Sequence, residues 1–158
     1  DRIYSVGMFE HVGKKFYNAF FKSMNSLLSE NGIFLLHTIG SVEAPTPPNK
    51  FINKYIFPGG VIPSFSEIIN PIQKTGLIVA DTETLIRHYD KTLENWLERF
   101  MDKKNLVKDL FDEKFVKMWE FYLSSCAAAF RYRDLVVFQL QIVKNFESTH
   151  RTRDYIYS

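Results

Sequence analysis

A doubly wound α/β fold is predicted by three features of the chain. Residues 2–6 and 33–39 are short, β-prone runs of the kind that make buried strands. Between them, Phe16, Tyr17, Phe20, Phe21, Met24, Leu27 and Leu28 recur at spacings of three and four, the mark of a helix with one apolar stripe. Both runs lead into ionisable residues, Glu10 and His11 after the first and His37 within the second. Open α/β sheets carry their chemistry at the carboxyl ends of their strands, so Glu10 and His37 are expected to face one crevice.

The remaining elements follow from local chemistry. Arg2 to Val6 reads as a buried strand, and Gly13 breaks the segment after it. Asn31-Gly32 is expected to stop the first helix as a left-handed cap. Residues 33–39, apolar on both faces, suit a central strand of a covered sheet. Residues 41–63 form an insertion: Pro45, Pro47 and Pro48 exclude regular structure, and residues 51–57 make a short aromatic element closed by Pro58-Gly59-Gly60. That element either covers the core edge or walls an apolar ligand site through Tyr55 and Phe57. Ser64 and Glu67 have the spacing of a capping box, with Pro71 obscuring where the helix ends. Residues 77–84 read as a third strand. His88-Tyr89-Asp90 precedes a helix carrying Leu93, Trp96, Leu97 and Phe100, which Lys103-Lys104 ends. Asp112 or a neighbour starts the longest helix, with Phe115, Met118, Trp119, Tyr122 and Cys126 on one face. Residues 135–143 alternate as a strand with one face less buried, and residues 147–158 are a polar, frayed tail.

Composition narrows the classes of function. A chain of 158 residues, 46% hydrophobic and 24% charged, supports one globular core. A net charge of +2 argues against nucleic acid, though a local basic face could still meet anionic lipid. One cysteine, Cys126, excludes an intramolecular disulfide and fits a reducing compartment; on an apolar helix face it reads as packing. No apolar run approaches the roughly 18 to 20 residues of a membrane span, and no metal-ligand cluster stands out. The chain starts at Asp1 without Met and without a signal-peptide pattern, which reads as a cytoplasmic protein and a piece of a longer one. Fifteen Phe and eight Tyr exceed what a small core needs, which suggests a cavity lined with rings. Glu10 could cap the helix after it, His37 could be a hydrogen-bonded packing residue and Tyr89 a core ring. A carboxylate and an imidazole among Met8, Phe9, Leu36 and Ile39 would also suit a proton or a small anion beside something apolar.

Several blocks carry a family resemblance in order and spacing: Val6-Gly7-Met8-Phe9-Glu10-His11-Val12-Gly13, Leu35-Leu36-His37-Thr38-Ile39-Gly40, Ile52-Asn53-Lys54-Tyr55-Ile56-Phe57-Pro58-Gly59-Gly60, Tyr89 with Thr92-Leu93 and Trp96, and Ala127-Ala128-Ala129-Phe130-Arg131. Together, up to about Lys144, they resemble the carboxyl-terminal part of cyclopropane-fatty-acyl-phospholipid synthases, a family that includes the mycolic acid cyclopropane synthases. The resemblance implies a fold class: the carboxyl-terminal half of a doubly wound, Rossmann-like S-adenosylmethionine-dependent methyltransferase sheet with helical insertions, over residues 1–158. It implies a bacterial enzyme that passes a methylene group from S-adenosylmethionine to a cis double bond of a phospholipid's unsaturated acyl chain, at the inner face of the membrane as a peripheral protein, with a homo-oligomer left open. It also implies bicarbonate as the base, held by Glu10, His37, the backbone of Ile39, and Tyr89, with Glu10 accepting and the others donating. Glu10, His37 and Tyr89 are then the catalytic positions, and His11 a candidate for the cofactor wall.

The glycine-rich turn that grips S-adenosylmethionine matches nothing in these residues, so this piece alone is expected to be inactive. The family's site cysteine would also lie outside them, so Cys126 is not its counterpart. Two alternatives stay open: a related lipid methyltransferase giving a methyl-branched or oxygenated product, and a non-catalytic lipid-binding fragment.

Overall fold

The structure is a computed structural model and describes residues 1–157. Four strands form one mixed sheet in the order β1-β2-β4-β3, where β1 is Arg2–Val6, β2 Ile33–Ser41, β3 Ile78–Leu85 and β4 Leu135–Val143. β1 runs parallel to β2, and β4 runs antiparallel to both β2 and β3. The parallel pair needs a crossover, and α1 (Tyr17–Leu27) supplies it, as the spacing of its apolar residues predicts.

Two helical layers cover the sheet unequally. On one face α1 and α3 (Phe65–Lys74) bury Tyr17, Phe21, Ile68 and Ile72 against Phe34, Leu36, Phe138, Leu140 and Ile142. Each large apolar side chain removed from water here contributes about 1.5–3 kcal/mol, so this layer holds most of the core. On the other face α4 (His88–Asp102) and α6 (Glu113–Tyr132) pack over Ile39, Leu85, Leu135 and Val137. α2 (Lys50–Tyr55) lies in the insertion, and α5 (Lys104–Leu110) links α4 to α6.

α3 starts where the sequence indicates. Ser64 caps it, Glu67 completes the box, and the helix continues through Pro71, whose side of the helix is buried with Ile68 and Ile72. That burial outweighs the roughly 3 kcal/mol that an interior proline costs. α6 starts after Asp112, whose side chain accepts from the Phe115 amide.

Four expectations need correction. β1 is an edge strand among the described residues, with Tyr4 79% and Val6 60% exposed and Ser5 buried; a five-residue run cannot show which neighbours it will have. α1 ends at Leu28 in extended conformation, not on a left-handed Asn31-Gly32 cap. Gly32 is needed for room, because a Cβ there would lie 2.6 Å from Leu28 Cδ1. His88, Tyr89 and Asp90 form the first turn of α4 and do not precede it. The tail is tied down as far as Tyr155: Arg153 pairs with Asp81, Gln141 donates to the Tyr155 hydroxyl, and the Ser148 hydroxyl donates to the Glu30 carbonyl. Ser158 lies outside the described residues.

Candidate functional site

The site begins where β1 leaves the sheet. The Gly7 amide makes the last rung of the β1–β2 ladder, to the His37 carbonyl at 3.1 Å. Gly7 then takes φ +65, a conformation that side chains resist, and turns the chain out of the strand. A single 3-10 turn, Phe9–His11, follows. Phe9 anchors it, fully buried and stacked on Tyr17 with centroids 4.3 Å apart. The Glu10 carbonyl accepts from the Val61 amide at 2.8 Å, which ties the insertion to the same turn.

With β1 gone, the amide of Ile39 faces no strand on that side. Glu10 takes the place: its Oε1 accepts from the Ile39 amide at 2.7 Å. Glu10 is 7% exposed, and its second oxygen, Oε2, is buried without a protein partner. A buried carboxylate oxygen with no donor is costly, so a small donor-bearing ligand is the natural completion of this arrangement.

Two phenols from opposite layers feel this carboxylate. Burial first, and then the charges of Glu67 and Glu10, push the Tyr17 phenol up to about 12; its hydroxyl also lacks a protein partner. Burial first, then Glu10 and then Cys126, raise the Tyr89 phenol. Both therefore stay protonated around neutral pH and can act as donors. Tyr89 is held by Phe130 (5.1 Å between centroids) and Trp96 (5.9 Å). The next residue, Asp90, is buried and accepts two bonds of 2.8 Å from Arg131 on α6, which fixes the first turn of α4. Arg131 also bonds Glu94.

His37 stands two residues before Ile39 on the same strand face, and its Nδ1 lies 3.1 Å from Gln139 Oε1. The structure thus sets Glu10 against the Ile39 amide, with His37 at the middle of the same strand and Tyr89 within the field of Glu10. The Ile39 amide is engaged by Glu10, and the His37 Nδ1 by Gln139. His11 is exposed, its ring edge against Phe57 at 5.8 Å, and Phe57 in turn meets Tyr122 at 6.1 Å. Tyr55 packs on Phe51, which meets Phe121, so its contacts lead away from Glu10. Burial pushes the Cys126 thiol up to about 11, which suits a packing residue.

Sequence reasoning missed Tyr17, Tyr122, Gln139 and Glu83. Tyr17 and Tyr122 read as ordinary members of apolar helix stripes. Gln139 reads as a less buried residue of an alternating strand, Glu83 lies in the third-strand run with no signal of its own, and only strand register sets Gln139 beside His37 and Glu83 beside Gln139.

The family model for mycolic acid cyclopropane synthetase matches residues 1–140. The chain belongs to that family. Over 148 residues it is 41% identical to the cyclopropane-fatty-acyl-phospholipid synthase of Escherichia coli strain K12, covering 94% of this chain and 38% of that protein. It is 34% identical to a probable fatty acid methyltransferase of Pseudomonas putida, covering 95% of this chain and 39% of that protein. Among solved structures, mycolic acid cyclopropane synthase CmaA1 complexed with SAH and CTAB superposes with a TM-score of 0.82 at 34% identity, over 90% of this chain and 54% of that one. The chain therefore spans well under two thirds of the relatives it matches. The mycolic acid cyclopropane synthetase family is one of S-adenosylmethionine-dependent methyltransferases that act on lipids, and the α/β architecture found here is theirs.

Proposed function

We propose that this chain is the carboxyl-terminal part of a cyclopropane fatty acid synthase. The full-length protein would transfer a methylene group from S-adenosylmethionine to a cis double bond of a phospholipid acyl chain, in peripheral contact with the inner face of a membrane. The observation that carries the reading is the buried, half-satisfied carboxylate of Glu10 at the carboxyl end of the parallel strands, between apolar layers.

The chemistry explains why such a carboxylate is useful. An alkene is a weak nucleophile, and the carbocation left after methyl transfer has no heteroatom to stabilise it. Water must be kept out until a proton is lost from the new methyl group and the ring closes. Phe9, Ile39, Tyr89 and Tyr122 supply the dry, ring-rich surroundings, and ring faces favour a passing cation.

Bicarbonate fits the polar residues present. Glu10 Oε2 can accept from its hydroxyl, while the Tyr89 phenol and the ring of His37 can donate to its oxygens. Ile39 serves this site by holding Glu10 through its amide. When bound, bicarbonate supplies the base that ring closure requires. Glu10 orients, Tyr89 and His37 balance negative charge, and the apolar layers exclude water. The cofactor would be gripped mainly by residues outside this chain, with His11 near its edge and Tyr55 and Phe57 along the acyl path.

In the full-length protein, Glu10→Gln should leave S-adenosylmethionine binding intact and lower turnover by about 10²-fold or more. Turnover unchanged from wild type removes Glu10 from the site. A second reading is favoured by the Pseudomonas putida relative: a lipid methyltransferase whose product is branched or oxygenated. Mass spectrometry and proton NMR of the product lipid together separate them: a cyclopropane adds CH2 and leaves no olefinic protons, a saturated methyl branch adds CH4, and a methyl branch with a hydroxyl adds CH4O.

A further inference from the structure

Across the face that α4 and α6 half cover, β2, β4 and β3 set their side chains in successive rows. The row under the helices is Ile39, Val137 and Leu85, all apolar. The next is His37, Gln139 and Glu83, in register across the three strands. An irregularity in β3 between Val79 and Asp81 places Glu83 in this row. Beyond it come Gln141 and Asp81, which the tail covers through Tyr155 and Arg153.

The middle row is a hydrogen-bonded chain with only one consistent direction. Gln139 Nε2 donates to Glu83 Oε2 at 2.7 Å, and a carboxylate only accepts, so the amide nitrogen faces Glu83. The amide oxygen then faces His37, and an amide oxygen also only accepts. The ring nitrogen 3.1 Å away, Nδ1, must therefore carry a hydrogen. With the amide turned the other way, its oxygen would face the carboxylate, and the row would set two acceptors against each other.

We propose that Gln139, itself oriented by Glu83, is a positioning residue that holds His37 in the Nδ1–H form and leaves Nε2 as the nitrogen available to a ligand. This rests on the reading of His37 as an anion-site residue. A neutral His37 held in this way can only accept through Nε2. It donates to an oxyanion only as the doubly protonated ring, with the Glu83 carboxylate one side chain beyond Gln139 to offset the charge. Gln139 and Glu83 thus set the condition under which His37 can grip an anion.

The test is nitrogen NMR of the full-length protein labelled with 15N-histidine, with the His37 signals assigned by their loss in His37→Gln. In wild type, at a pH where the ring is neutral, Nδ1 should show the protonated-type shift and Nε2 the unprotonated type. Gln139→Leu removes the acceptor, and the ring should move toward the Nε2–H form with cofactor binding unchanged. The double variant Gln139→Glu with Glu83→Gln reverses the outer bond yet keeps an acceptor on Nδ1, so it should restore the Nδ1–H form. An Nε2–H ring in the wild type, a Gln139→Leu protein with unaltered ring form, or a folded double variant that does not restore Nδ1–H overturns the proposal. Ring forms as expected, with no response of the His37 nitrogens to added bicarbonate, would uphold the positioning role and remove bicarbonate from the proposed function.

Discussion

Glu10 has two tasks that its side chain performs with separate oxygens. Oε1 continues the hydrogen-bond ladder that β1 abandons at Gly7, and Oε2 is left buried for something else to complete. The first task is structural and would exist in any protein with this turn. The second distinguishes a site from a cap. Next to the Ile39 amide, Gly40 is equally constrained: a Cβ there would lie 2.5 Å from the Phe138 ring and 3.0 Å from the Pro63 carbonyl oxygen. Gly40→Ala should therefore destabilise the protein by about 1–3 kcal/mol through overpacking, measured by chemical denaturation, and displace the Ile39 amide from Glu10. A stability equal to wild type would mean that Phe138 can move aside. Glu10 and His37 were legible as candidates because each ends or lies within an apolar run. The partners they use, a backbone amide and Gln139, were not legible, because both come from other strands.

Elements with a local signal were readable, and those defined by their neighbours were not. The Ser64–Glu67 box is local, so α3 was placed correctly from the sequence, and Ser64→Ala should cost about 1 kcal/mol. Glu67 also carries a pH dependence. Burial works against its charge, but bonds from Lys14 and from the Ser64 amide outweigh it and hold the carboxyl below its ordinary range. A carboxyl depressed on folding contributes stability that is present above its unfolded pKa and is lost as pH falls through the folded value. Acid titration of stability should thus show a loss that begins near the ordinary glutamate range and continues below it. Glu67→Gln, which keeps the box but not the charge, should flatten that part of the curve; an unchanged curve would show that Glu67 does not contribute. By contrast, α5 has no cap and no long apolar stripe, and it went unseen. The end of α1 was misread because Gly32 is explained by the room it gives Leu28, which only the packed structure shows.

At the scale of the molecule, the α4–α6 layer lies between β3 and β4 in the chain and meets the sheet over Ile39, Leu85, Leu135 and Val137. Its inner end is clamped by Arg131, which bonds both Asp90 and Glu94. Arg131→Leu should free the turn that carries Tyr89. Amide exchange should rise in residues 88–94 before it rises in the sheet, and the melting temperature should fall. Equal protection in both would show that the clamp is dispensable. What the sequence by itself determined is the alternation of strand and helix, the capping signals, the family and the residues able to handle a proton or an anion. These depend on spacing along the chain and on side-chain chemistry. Only the tertiary structure decided that His37, Gln139 and Glu83 share a row, and that one oxygen of Glu10 is used while the other is not. Each of these depends on which strands lie side by side and in what register, and that is settled by how separate parts of the chain bury their apolar faces together.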